Sequence, residues 1–285
     1  MKNLCIKDKD KDTENIKPFD LSLSILISKG GFSYVLYNKE QKRFSALVSQ
    51  TCSNPDNIGT EFKEFVLNEK LNISNYQKVN IVVADHRATI IPEALFQSDK
   101  VNEIYNLNFF PDAERIVKYS RLDKSGNYLI YSVSKDIIKV LDELFTEYNL
   151  FPQSHSFIES HFTDNKLSDK PLDEKVYVQV FCDFCDILVL KDSAVKFYNT
   201  YTYKTNNDLL YYMINIFDQL KLSQENSQLV FSGFIETDNL AVLNLSKFVS
   251  QVYFESQNTD YKYFYKFQET APHYYYNFLN IVSCV

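Results

Sequence analysis

The feature of this 285-residue sequence that most limits its fold is a pattern that occurs twice: three strand-like stretches, a helix-like stretch, then a fourth strand. In the first copy Leu21, Leu23, Ile25 and Ile27 alternate with Ser22, Ser24 and Leu26. That is the period-two spacing of a strand, and it stops at the turn Lys29-Gly30-Gly31. Phe32 to Asn38 reads as the returning strand, Lys39 to Lys42 as a polar turn and Phe44 to Val48 as a third strand, so residues 19 to 50 should form an antiparallel meander. Thr60 is expected to cap a helix with Phe62, Phe65 and Val66 on one face. Val79 to Ala84 follows as a continuous apolar run, the kind that suits a sheet covered on both faces.

The stretch between the two copies holds Thr89 to Pro92, read as extended, and Pro92 as the start of a turn through Phe96. Residues of about 114–134 read as an inserted hairpin turning at Gly126-Asn127. Ser134 caps an amphipathic helix with Ile137, Leu141, Leu144, Phe145 and Tyr148 on one stripe, ending before Pro152. His155 to Phe162 reads as a strand. In the second copy Val176 to Cys182, Ile187 to Leu190 and Phe197 to Tyr203 are the strands, with Phe197, Tyr201 and Tyr203 on one face. Thr205 to Asp208 offers caps for a helix with Leu209, Met213, Ile216, Phe217 and Leu220 in phase, and Leu229 to Phe231 is the returning strand. The expected fold class is α/β: two β-β-β-α-β domains with mixed sheets, related by duplication. The expected organisation is a disordered tail over 1–17, a first domain over 18–163 carrying the inserted hairpin, a linker over 164–174 and a second domain over 175–285.

Composition narrows the function. A formal charge of −7 disfavours a nucleic-acid footprint, which needs clustered Lys and Arg, and disfavours acidic membranes equally. No apolar run approaches a membrane span or a signal segment, and five cysteines at 5, 52, 182, 185 and 284 lack a disulfide-framework spacing. A cytoplasmic protein with reduced thiols is the expectation.

The run from Lys196 through Tyr201, continued by Asp208-Leu209-Leu210-Tyr211-Tyr212, together with the turn Ser28 to Phe32, resembles an uncharacterised bacterial family assigned the actin-like ATPase fold. That ribonuclease H-like architecture is shared with sugar kinases and bacterial filament proteins. The resemblance implies a cleft between the domains where active relatives hold ATP, with an Asp followed closely by Gly at each meander's first turn and a Gly-Gly pair at the adenosine. Glycines let backbone N–H groups approach phosphates, and carboxylates hold Mg²⁺. Lys29, Gly30 and Gly31 supply glycines and a cation at the first turn but no carboxylate. Asp183 and Asp186 supply carboxylates at the second, where Phe184 stands in place of a glycine, and Gly233 is alone in the third loop, followed by Phe234. These six residues are the candidate cleft residues, with a degenerate nucleotide site as the implication and Mg-ATP as the alternative.

Other groupings have ordinary explanations. Cys182 and Cys185 lie between two expected strands, whereas a redox pair opens a helix and a zinc site needs a second pair. His155 and His161 have no metal-ligand spacing. Asp85-His86-Arg87 ends a buried strand, a place where His could act as a base oriented by Asp, but no nucleophile completes the set. The aromatic tracts Tyr261 to Phe267 and His273 to Phe278 suit a core-facing or partner-facing segment better than a single-strand binder in an acidic chain. No phosphate-loop, nucleophile-elbow, zinc-protease or dinucleotide motif occurs. The reading is a non-catalytic interaction or scaffold protein with an unidentified protein partner; the alternative is a divergent ATP-binding protein or phosphotransferase.

Overall fold

The computed structural model describes residues 2–8, 18–73, 76–162 and 174–285. Strands β1 (Leu4–Lys7), β2 (Leu21–Ser28), β3 (Gly31–Asn38) and β4 (Arg43–Thr51) lead to helix α1 (Ile58–Asn68) and β5 (Lys78–Ala84). An inserted module follows: β6 (Ala88–Pro92), α2 (Val101–Asn108), β7 (Arg115–Leu122) and β8 (Asn127–Ser134). Helix α3 (Lys135–Leu144), strand β9 (Asn149–Pro152) and helix α4 (Gln153–Glu159) close the first half. The second half runs β10 (Lys175–Val180), β11 (Phe184–Lys191), β12 (Ala194–Thr202), α5 (Asn206–Gln219), β13 (Gln228–Gly233), α6 (Leu240–Phe248) and β14 (Gln251–Phe254). A two-residue strand β15 (Lys262–Tyr263) and a short helix α7 (Tyr276–Leu279) come after it.

The first sheet is ordered β1-β4-β3-β2-β5-β9 and the second β12-β11-β10-β13-β14. Apart from β1 the two orders match strand for strand. Each has an antiparallel meander whose first strand pairs in parallel with the strand after the helix, Ile25 opposite Ile81 in one and Val178 opposite Phe231 in the other. The duplication is therefore longer than the β-β-β-α-β unit: each half adds a second helix and a fifth strand, α3 with β9 and α6 with β14. The inserted module makes a separate sheet, β6-β8-β7.

Period-two alternation explains how the layers form. Leu23, Ile25 and Ile27 pack with Phe62, Phe65 and Val66 of α1 and with Ile137 and Leu141 of α3. The opposite face of that sheet presents Leu26, Val35, Leu47 and Val82 to Phe181 and Phe184 of the second half and to Phe264, Phe267, Tyr275, Phe278 and Ile281. In the second half Val176, Val178, Ile187 and Val189 lie under α5 and α6, with Phe197, Tyr201 and Tyr203 packed alongside. Thr205 and Asp208 form a reciprocal capping box at the start of α5, as their spacing predicts. None of the described helices is long and apolar enough to cross a membrane.

Five expectations are corrected. Residues 4–7 are not part of a disordered tail; they form an edge strand on β4, with Ile6 fully buried. Four residues embedded among charges give too short a pattern to show periodicity. Residues 9–17 of that expected tail, and the expected linker apart from Glu174, lie outside the described residues. His155 to Phe162 is not a strand: Gln153 to Glu159 is helical and buried at every position, so no exposed face marks its period. The extended stretch in this part of the chain is β9, read from sequence as the end of α3. Helix α2 went unread because its polar face, Asn102, Glu103, Asn106 and Asn108, outweighs its buried Val101 and Tyr105. Thr60 is not the cap of α1; Asn57 is, and Thr60 donates its hydroxyl hydrogen to Asn57 Oδ1 at 2.8 Å.

Residues 262–281 do not stay on the second sheet. β15 pairs in parallel with β4, Lys262 opposite Arg43 and Tyr263 opposite Phe44, and the aromatic residues after it cover the first sheet. The two halves are thus strapped together by the segment that follows the second.

Candidate functional site

The first turn, between β2 and β3, is held by Ser28 Oγ donating to the Gly31 carbonyl at 3.0 Å. A Cβ on Gly31, at φ +139°, would lie 2.1 Å from the Gln50 carbonyl oxygen, so the glycine answers to the neighbouring strand β4. The second turn, between β10 and β11, closes through Phe181 N–H to the Phe184 carbonyl at 2.8 Å, with the two rings stacked at 4.7 Å. The two turns meet. Lys29 Nζ donates to Asp183 Oδ2 at 2.9 Å, and Gly30 faces Cys182 Sγ, 3.4 Å from where a Cβ would sit. The hydrogen bond to Asp183 raises the pKa of Lys29.

Gly233, in the third loop, is at φ +83°, and a Cβ there would stand 2.2 Å from the Val180 carbonyl oxygen. Its lack of a side chain lets β13 end against β10. Phe234 then turns inward, its N–H bonding the Val180 carbonyl at 2.8 Å and its ring meeting Tyr275 edge-on at 5.4 Å. Between the halves, Leu26, Val82, Phe181, Phe234, Tyr274 and Phe278 leave a cavity with room for about one water molecule.

Asp186 points away from both turns into the interior. It is fully buried and accepts from Thr200 Oγ1 at 2.7 Å, Tyr198 Oη at 3.0 Å and Gln153 Nε2 at 3.1 Å. Burial pushes its carboxyl up to about 6 against the pull of those three donors. The folded chain therefore binds this proton more readily than the unfolded one. The contribution of Asp186 to stability is full below about pH 4 and is lost as the pH rises toward 6. Urea unfolding of wild type and Asp186→Asn should show their free-energy difference shifting toward the variant by no more than about 3 kcal/mol over that window. A difference independent of pH would refute the assignment.

Of the six candidate residues, then, Lys29, Gly30 and Asp183 are brought together, while Gly31, Gly233 and Asp186 serve the backbone and the interior. Gln153, on α4, was not suggested by any motif. Its Oε1 accepts the Asp85 N–H at 3.1 Å, its Nε2 donates to the Asp85 carbonyl at 3.0 Å, and the same Nε2 reaches Asp186, so it joins the two halves. A lone glutamine gives no sequence signal for such a role.

The remaining groupings have structural partners. Asp85 is held by Arg115 Nη2 at 2.6 Å and by the Arg87 N–H at 3.1 Å, while His86 Nδ1 lies 3.3 Å from the same Asp85 carboxylate and burial lowers the pKa of this imidazole. His155 Nε2 faces the Cys284 carbonyl at 3.0 Å, which only accepts, so Nε2 carries the hydrogen and Nδ1 accepts from Ser120 Oγ at 2.8 Å. His161 stacks on Tyr177 at 3.7 Å, and burial takes its pKa down to about 3. The Cys182 thiol is pushed up to about 11 by burial, and burial raises Cys185 as well, so both remain protonated thiols near neutral pH. Among the described residues no group of three or more His, Cys, Asp or Glu is placed to hold a metal.

Two copies of one mixed-sheet unit, meeting at paired hairpin turns with an inserted module in the first, define the actin-like ATPase fold. The chain is similar to a protein of unknown function with that fold from Bacteroides thetaiotaomicron VPI-5482, at 23% identity over 94% of this chain and 97% of that one, with a TM-score of 0.82. It is also similar, at 11% identity over 93% of this chain and 98% of that one, to a chain of the PilM-PilN type IV pilus biogenesis complex, with a TM-score of 0.54. By sequence the chain belongs to the family described as protein of unknown function (DUF3822), which it matches over residues 8–252. No curated protein matches it.

Proposed function

We propose that this chain is a non-catalytic member of the actin-like fold that works in the cytoplasm by holding another protein, with no nucleotide between its halves. The observation that carries the reading is the filling of the junction. Aromatic side chains from both halves pack where an open polar cleft would be needed, and Lys29 and Asp183 neutralise each other across the two turns. A triphosphate entering there would have to displace buried rings and separate that ion pair. Asp186, the other candidate for Mg²⁺, already has three donors and is fully buried. The PilM-PilN complex offers a precedent for the fold within an assembly of proteins.

Most of the aromatic tract that invited a contact role is used internally. Phe264 and Phe267 are buried and Tyr263 stacks on Phe44 at 5.5 Å, which leaves Tyr265, 65% exposed, as the ring of that tract open to a partner. Mg-ATP at millimolar concentration should leave the melting temperature unchanged, because only a ligand that binds the native state stabilises it by mass action. A rise that grows with nucleotide concentration, and that Lys29→Ala removes, would establish ATP binding and overturn the reading.

A further inference from the structure

We infer that the small cavity between the halves is a binding site for one water molecule, which bridges Ser156 on α4 to Gln179 on β10 and so joins the first half to the second. Asp186, Gln179 and Ser232 stand opposite one another on β11, β10 and β13, a buried polar row across the second sheet. Val176, Val178 and Val180 point from β10 toward α5 and α6, so Gln179, which alternates with them, points to the first half.

Helix α4 faces that row. Gln153, Ser156 and Ser160, spaced i, i+3 and i+7, lie along one side of the helix and its last turn. At one end of the row Gln153 Nε2 donates to Asp186 at 3.1 Å. At the other end Asn277 Nδ2 of α7 donates to Ser232 Oγ at 2.9 Å, and Ser160 Oγ lies 3.4 Å from Asn277 Oδ1. The middle has no such link. Ser156 and Gln179 both line the cavity, yet Gln179 Oε1 is buried with no hydrogen-bond partner among the described residues, and Ser156 Oγ makes a long bond, 3.4 Å, to the Gln153 carbonyl.

Size and chemistry identify the ligand. The cavity holds about one water molecule. Gln179 Oε1 needs a donor, and the Leu26, Val82, Phe181 and Phe278 side chains that share the cavity offer none. A water gives one hydrogen to Gln179 Oε1 and pairs with Ser156 Oγ, which supplies the two polar partners that a buried water requires. A buried carbonyl without a donor loses its hydration and gains nothing in return, so a filled site is favoured over a dry one. Helix α4 is then fastened to the second sheet by three rungs: directly at Asp186, through Asn277 at Ser232, and through water at Gln179.

A crystal structure of the full chain that shows ordered solvent tests the site. Electron density for a single water is expected about 2.7–3.2 Å from both Gln179 Oε1 and Ser156 Oγ. In Gln179→Met, which keeps the length of the side chain and removes its carbonyl, that density should be lost, and oxygen-17 relaxation dispersion in solution should count one long-lived water fewer than in the wild type. An empty cavity in the wild type, a protein donor on Gln179 Oε1, or the same count of long-lived waters in folded Gln179→Met would overturn the inference. The wild-type map decides by itself, so the test stands even where the variant fails to fold.

Discussion

A chain ending at residue 255 should fail to fold cooperatively, although all five strands and both long helices of the second half remain in it. The deleted segment includes Phe264, Phe267, Tyr275, Phe278, Leu279 and Ile281, each buried on or beside the face of the first sheet formed by Leu26, Val35, Leu47 and Val82. Burying one such side chain is worth about 1.5–3 kcal/mol, so their joint loss is on the order of 10 kcal/mol. That equals the whole net stability of an ordinary domain, about 5–15 kcal/mol. The truncated chain should lose its near-ultraviolet circular dichroism and unfold in urea without a sharp transition. A cooperative transition near the full-length midpoint would show that the strap is dispensable.

Gly233→Ala should be the most damaging single methyl addition in the second half. The new carbon would lie 2.2 Å from the Val180 carbonyl oxygen and 2.7 Å from its nitrogen, both backbone atoms that cannot rotate aside. Strand β10 would have to separate from β13 at the end of their parallel ladder, in addition to the strain of φ +83°. A loss of about 3 kcal/mol or more is expected in urea unfolding. Gly30→Ala should change stability by no more than about 1 kcal/mol, because its nearest neighbour is the Cys182 side chain at 3.4 Å. The contrast separates a glycine required by strand packing from one that a phosphate loop would require. Equal effects at the two positions would contradict it.

How far the sequence revealed this arrangement depends on the distance over which each pattern acts. The meander from Leu21 to Val48 and the capped helix after Thr205 are legible because period two and a capping box are local. Helix α4 is illegible for the opposite reason: it is buried on every side, and Gln153 within it acts on Asp85 and Asp186, residues far off in the chain. The fifth strand of each half is hidden by shortness, four residues in β9 and four in β14. At the candidate site the bulk of Phe184 and Phe234, whose rings pack inward at the junction of the halves, was legible from residue types. They gave no warning that Asp186 faces inward, because a side chain's direction at a turn follows from strand register, which the identities of neighbours do not set.

The strap has a further consequence for synthesis. Ribosomes deliver about 5–20 residues per second, so after β5 emerges the first sheet waits on the order of ten seconds or longer for the rings that belong against it. Until the strap arrives Leu26, Val35, Leu47 and Val82 have at most Phe181 and Phe184 of the second half to cover them. Production of this protein therefore depends on whatever shields a nascent greasy surface, and its yield should suffer first when such shielding runs short.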